Sequence, residues 1–418
     1  MITRNTLRTD YMGWKLRWLG TILVLQVFFL WAFVAQAYPG VKFKVRPKIS
    51  AGWRVDTNYY GAEKVEREVY TYTVSPGFEL GIKTPKSSLG LNYALEANFY
   101  NDKDPVPPGE KPTDEDNYVG HTLVLTGRHR LTRRILVGLD DSFYFTRDPA
   151  QSDALSNSIK REKYFINRIT PMIYYNFDPR FSLGLRYRNT KIDYRPGDEE
   201  DAKEIRGIID LVYNMGRKAT FDLEYQHWKR HYDQESSDYS SDQIRLILKK
   251  KLRFFSFTAG AGYHKRDFVD ADVKDMSVFT YFITMEGSGT LANRRSRISL
   301  NITQNLNDQG TGDQYYKATR LTVTAEHDFT KKLTGSMSGY YQISDYEGTY
   351  GLSEGGSIKE RKDNTYDVSG MVSYRFARWM TFSLSAGYTS RDSNLAGLDY
   401  DNTYCVVNIG FAYGPGKR

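Results

Sequence analysis

One cysteine, Cys405, stands in 418 residues, so no intrachain disulfide can form. It also leaves no haem-attachment pair and no cysteine-based zinc site. Beyond Val34 there is no apolar run long enough to cross a bilayer as a helix, which excludes a helical membrane protein. Histidine is scarce, with six residues. His227 and His231 are four apart, and on a strand that spacing puts them ~13 Å from each other, too far to share a metal ion. No G-x-S-x-G elbow, phosphate-binding loop or dinucleotide fingerprint occurs. The chain therefore carries no mark of an enzyme, a metal centre or a cofactor site. Its basic residues are dispersed rather than clustered, which argues against nucleic acid as a partner.

What the chain has is aromatics and glycine: 33 Tyr, 22 Phe and 34 Gly, with a mean hydropathy of −0.58. Its start reads as an export signal. Arg4, Arg8, Lys15 and Arg17 precede the apolar run Leu19–Val34, and Ala35-Gln36-Ala37 supplies a small-residue cleavage site. Cleavage after Ala37 removes four basic residues and Asp10, taking the formal net charge from +8 to +5. The expected organisation is a signal peptide over 1–37 and one domain over 38–418.

From about residue 43 to 413 the hydrophobic period is two, not 3.6. Phe181, Leu183, Leu185 and Tyr187 alternate with Ser182, Gly184, Arg186 and Arg188; Arg297–Thr303, Leu321–Glu326 and Met380–Tyr388 alternate in the same way. Eighteen such segments can be marked, and most run 13–17 residues, long for the strands of a soluble sandwich. The connections alternate in length. Short ones such as 84–87, 131–134, 178–180 and 330–332 separate longer ones rich in Asp, Gly, Pro and Ser, such as 102–116, 148–160, 195–202 and 348–360. An exported, Tyr-rich chain of this pattern predicts an all-β fold, a transmembrane antiparallel up-and-down barrel of about 18 strands. Short periplasmic turns and longer extracellular loops complete it, with both termini on the periplasmic side. Loop 102–116 is the longest, and its prolines and acids suit an outer loop.

In such a barrel the apolar set faces lipid and the other set lines the lumen. Parity places Arg186, Arg188, Asp222, Glu224, Gly260, Gly262, Arg297, Glu326 and Arg375 on the lumen side. In RFFSFTAGAGYHKR (253–266), Phe255, Phe257, Ala259, Ala261 and Tyr263 would meet lipid, and Gly260 and Gly262 would be bore wall against which nothing packs. Bulky polar groups at those glycines would then alter conductance more than folding. Phe177, Phe181, Phe254, Phe255, Phe329, Phe376, Trp379, Phe411 and Tyr413 lie beside short turns or the C-terminus, as a periplasmic aromatic girdle would. Barrels of 16–18 strands leave an aqueous channel, so the strand count predicts a pore.

The stretches KVRPKISAGWRVDTNYYG (44–61), YTYTVSPGFELGI (70–82) and SSLGLNYALEANFYNDKD (87–104) resemble the start of a family of β-barrel porins. These are outer-membrane barrels associated with exopolysaccharide and exosortase (PEP-CTERM) gene clusters. The resemblance implies a porin-like channel, with an exported polysaccharide and periplasmic polysaccharide-export proteins as partners. It also implies that Phe411 and Tyr413, on the last strand, form the signal read by the barrel-assembly machinery, although Gly-Pro-Gly-Lys-Arg follows where such barrels end on the aromatic. The alternative is a structural or receptor barrel whose surface loops bind a partner, or a sheath around one.

Overall fold

The structure, a computed structural model, describes residues 41–413 apart from 149–150, 152–154, 156–160, 196–199, 217, 235, 289–294, 308–314 and 354–355. The expected signal segment lies outside the described residues. Eighteen antiparallel strands are seen among the described residues. The first nine are β1 (Lys42–Asp56), β2 (Val69–Lys83), β3 (Ser87–Asp102), β4 (Tyr118–Arg130), β5 (Ile135–Thr146), β6 (Tyr164–Asn176), β7 (Phe181–Tyr194), β8 (Ala202–Asn214) and β9 (Ala219–Tyr232). The second nine are β10 (Tyr239–Lys251), β11 (Phe255–Phe268), β12 (Met276–Ser288), β13 (Ser296–Leu306), β14 (Lys317–Asp328), β15 (Leu333–Leu352), β16 (Ile358–Ala377), β17 (Met380–Ser393) and β18 (Tyr400–Ala412). Each strand pairs with its sequence neighbours, and β1 pairs with β18 from Lys48↔Ala412 to Asp56↔Tyr404, so the sheet closes on itself. The predicted 18-stranded barrel, with short and long connections at opposite ends, is the observed one.

The short turns repeat one device. A Thr or Asp side chain accepts hydrogen bonds from the backbone two or three residues on, which closes the turn without a glycine. Thr84 Oγ1 accepts from Ser87 N–H at 2.8 Å, Thr132 Oγ1 from Ile135 N–H at 3.0 Å and Thr330 Oγ1 from Leu333 N–H at 2.9 Å. Asp178 Oδ1 accepts from Phe181 N–H at 2.7 Å and Arg180 N–H at 2.6 Å. Those bonds, that from Phe181 first, hold the Asp178 carboxyl below the usual carboxylate range. Turn 215–218 instead uses Gly216 at φ +78°, a left-handed conformation that a β-carbon would strain.

The outward face is apolar around the barrel: Ile49, Leu185, Ile209, Leu246, Ile298, Met337, Val368 and Leu384 are all exposed there. On β2–β4 this face packs on itself, with Ile82 and Leu91 buried against Leu80, Leu89, Leu123 and Leu125. Phe177, Phe181, Phe254, Phe255, Phe329, Phe376, Trp379 and Tyr413 stand exposed at the short-turn end, and Phe411 stacks on Trp379 at 6.0 Å. A second belt was not foreseen. Tyr187, Tyr225, Tyr263, Tyr341 and Tyr388 point outward six to eight residues along their strands from the short turns, which is about 20–26 Å of strand. Two aromatic belts around an apolar band match the two interfaces of a bilayer.

Ala259 lies within that band on β11, four residues from Phe255. Ala259→Arg is expected to destabilise the folded barrel by ~2–4 kcal/mol, read as a lower urea midpoint in refolding titrations followed by heat-modifiable gel migration. Ala259→Leu should leave the midpoint unchanged.

Candidate functional site

Alternation on β7–β10 turns one charged set inward. Burial in β8 and β9 marks the parity: Glu204, Arg206, Asp210, Asp222, Glu224 and Arg230 are buried, whereas Lys203, Ile205, Ile209 and Lys229 are exposed. Register sets Asp210 and Arg245 on either side of Glu224. Arg186 Nε donates to Asp210 Oδ2 at 2.8 Å, and its Nη2 donates to Asp210 Oδ1 and Glu224 Oε2, both at 2.7 Å. Arg245 Nε and Gln226 Nε2 donate to Glu224 Oε1 at 2.9 and 2.7 Å. Lys249 Nζ donates to Asp222 Oδ2 at 3.2 Å. Arg206 Nε donates to Glu204 Oε1 at 2.8 Å, and its guanidinium sits 3.9 Å from the Trp228 ring centroid. Three carboxylates at neighbouring heights would repel one another; the interleaved cations cancel that repulsion and the cost of burying them.

Arg188 shares the inward face, in register with Arg206. Near the short turns, Arg297 faces Glu326 in register and pairs with it, and its other nitrogen lies 3.5 Å from Asp328 Oδ2. Arg375 is exposed on the inward face of β16. Asp222 and Glu224 belong to the cluster around Arg186, whereas Arg297, Glu326 and Arg375 are remote from it. Parity would also have found Glu204, Arg206, Asp210 and Arg245. Their pairings depend on register, which one strand's pattern does not carry.

Gly260 and Gly262 lie on the inward face of β11, but they are not bare wall. A β-carbon on Gly260 would meet the Phe282 ring at 2.3 Å, and one on Gly262 would meet the Ile244 carbonyl oxygen at 1.9 Å and Arg245 at 2.8 Å. The glycines make room for Phe282 and Arg245, which corrects the reading that nothing packs there. The expectation for bulky replacements changes with it, because they would strike an aromatic ring and the neighbouring backbone.

Exposure of the interior face falls sharply with height. On β16, Arg375 and Met371 are exposed and Asp367 and Ser369 are half-buried, but Thr365, Asp363 and Arg361 are 2%, 0% and 7% exposed. Trp228, Tyr239, His264, Arg266, Gln342 and Ser344 are likewise buried towards the long-loop end. Two clusters cover this upper wall: Trp228, Tyr232, Tyr239, Met276, Leu306 and Tyr315 on one side, and Tyr316, Ala318 and Tyr346 on another. Leu155, in the connection between β5 and β6, packs on the second cluster. Its carbonyl accepts from Tyr316 Oη at 2.5 Å and Gln342 Nε2 at 3.0 Å, on the opposite wall. The same connection is anchored at Arg147, whose Nη1 lies 2.8 Å from Asp116, and at Arg161, whose Nε donates to the Tyr59 carbonyl at 3.3 Å. Loop 102–116 stays on its own side: Arg67 reaches Asp102 at 2.6 Å, and Asp102 accepts from Thr113 N–H at 2.8 Å. The interior is thus an open polar vestibule towards the short turns and a packed wall, crossed at Leu155, towards the long loops.

His227 and His231 project outward at the long-loop end, where His227 Nδ1 lies 2.9 Å from Asp242 and His231 Nδ1 lies 2.5 Å from Asp238.

Glu224 holds two arginines, so Glu224→Ala should lower stability by ~2–3 kcal/mol, and Glu224→Gln by less, measured by urea titration of the refolded barrel. Gly262→Leu should block refolding altogether in the gel-migration assay.

Comparison with solved structures places the fold beside the crystal structure of Pseudomonas aeruginosa OccK9 (OpdG), with TM-score 0.50 and 9% identity over 89% of this chain and 99% of that one. Acinetobacter baumannii OccAB2 gives TM-score 0.49 and 13% identity over 90% and 98%, and Pseudomonas aeruginosa OpdK with vanillate gives 0.49 and 11% over 89% and 99%. Among curated proteins none matches the chain. Residues 256–413, which span β11–β18, match the family described as "Putative beta-barrel porin 2", and together with the closed 18-stranded wall this match supports an outer-membrane β-barrel porin.

Proposed function

We infer that the chain is an outer-membrane channel for a hydrated polar solute, and that this solute is an exported polysaccharide. The observation that carries the channel reading is the exposure gradient of the interior face, from exposed Arg375 and Met371 to buried Asp363 and Gln342. A polar vestibule with a constriction above it can admit and select a solute; a uniformly filled barrel cannot. The polysaccharide reading rests on the family resemblance and on the make-up of the wall that runs from β14 through β18 to β1. There Arg54, Arg320 and Arg391 lie over Tyr404, Tyr340 and Tyr400 at 4.4, 4.4 and 4.8 Å. Such pairs offer a sugar ring a flat face beside hydrogen-bond donors. The short turns then face the periplasm, the signal over 1–37 directs export, and Phe411 and Tyr413 present the last strand to the assembly machinery.

The test is conductance of the refolded mature chain in planar bilayers. The wild type should form discrete channels, and Tyr316→Phe with Gln342→Ala, which removes both donors to the Leu155 carbonyl, should raise their conductance. A heat-modifiable, β-rich sample in which neither protein conducts would sink the channel reading. That outcome would favour a structural or receptor barrel, for which the packed long-loop half is the supporting observation.

A further inference from the structure

The two rims of the barrel carry opposite charge. The eight short turns hold twelve Lys or Arg and one acid, Asp178, and every one of these turns has at least one of the bases. The nine long connections hold twenty-five Asp or Glu against ten Lys or Arg. Turns that touch lipid headgroups account for some of the basic rim, but the excess continues inside the bore. The inward set of β1 begins Lys42, Lys44, Arg46 and Lys48. Where β1 closes on β18, a recess of about 700 Å³ opens on the vestibule wall, lined by Arg46, Lys48, Arg375 and Arg378 together with Ser50 and Thr381. No acid lines it. The nearest carboxylate with a recorded contact is Glu79, which is held by Lys44 at 2.9 Å and lies 3.6 Å from Arg46. Lys48 Nζ donates to Asn92 Oδ1 at 2.8 Å, a neutral partner. Of the four bases, Arg46, Lys48 and Arg375 face inward, away from headgroups, whereas Arg378 belongs to the β16–β17 turn, and Ile49, Trp379 and Phe411 close the recess towards the outer face.

We propose that this recess is the capture site for an anionic group, a carboxylate, sulfate or phosphate carried by the transported polymer. This deepens the channel reading and rests on it for direction. The basic rim raises the local concentration of a polyanion at the short-turn mouth, the four cations hold one of its charged groups, and the hydroxyls of Ser50 and Thr381 supply neutral donors. The acidic long-loop rim then repels the polymer once it has crossed, so capture is confined to one side and release to the other. The same arrangement would not distinguish the two ends of a neutral glycan.

The experiment uses the refolded full barrel in nanodiscs and fluorescently labelled polygalacturonate oligomers, with dextran of equal length as the neutral probe. Fluorescence polarisation should show polygalacturonate binding that weakens with rising salt and no comparable dextran binding. The variant Arg46→Gln, Lys48→Gln, Arg375→Gln, Arg378→Gln should weaken it by about tenfold or more, four exposed pairs at a few tenths of a decade each. A second variant, Arg133→Gln, Arg134→Gln, Lys331→Gln, Lys332→Gln, removes four turn charges and should weaken binding far less. Equal losses in the two variants would mean a diffuse rim effect and overturn the site, as would equal affinity for dextran. Planar-bilayer conductance separates the two readings. A barrel that conducts but does not bind polygalacturonate overturns only the capture site, whereas one that binds without conducting overturns the channel. Gel migration of both variants confirms folding.

Discussion

Everything in this molecule follows from one constraint: a peptide N–H or C=O that faces acyl chains without a partner costs several kcal/mol. A sheet can meet that demand only by having no edge, and here the first strand closes on the last between Lys48↔Ala412 and Asp56↔Tyr404. Closure makes the two faces of every strand answer to different media. Outward residues must be apolar between the belts that end at Phe255 and Tyr263, and inward residues are free to be charged. Closure also brings Arg46 and Arg375, residues more than three hundred positions apart, to line one recess on the vestibule wall.

The interior is not one environment. Near the short turns inward charges such as Arg375 stand exposed. Higher up, many inward charges sit in pairs or clusters: Arg186 with Asp210 and Glu224, Arg206 with Glu204, and Arg361 with Asp363 at 2.6 Å. The reason is local dielectric. Where aromatic rings and Leu155 displace water, an isolated charge loses its hydration and must recover it from a partner. Trp228 at 3.9 Å from Arg206 serves both purposes, excluding water and facing the cation with its ring. A wall built this way is packed in its upper half and open in its lower half, a sound basis for a selective passage.

Much of the architecture was legible without coordinates. Period-two patterning over 13–17 residues has few physical solutions in a chain whose described residues hold no long helix, and the alternating lengths of connection put short turns at one end and long loops at the other. Parity placed Arg186, Asp222 and Glu224 on one face because strands alternate strictly. The second aromatic belt was missed because Tyr187, Tyr225 and Tyr263 sit mid-segment, where nothing in a linear pattern marks depth. Gly260 and Gly262 were misread for a related reason. A missing side chain looks like space in a sequence, but the register sets Phe282 across from Gly260 and Arg245 across from Gly262, and those two groups occupy the space.

Sequence alone determined that the chain is a β-barrel, about how many strands it has, and which residue set faces which way, because these follow from periods of two and from turn chemistry within a few residues. Only the tertiary structure decided which charges pair, where the bore narrows and what crosses it. Glu224 meets Arg186 through two strand registers, and Leu155 meets Gln342 across the full width of the barrel. Such contacts depend on how many residues each strand slides past its neighbour and on closure, and neither quantity is encoded in any single segment.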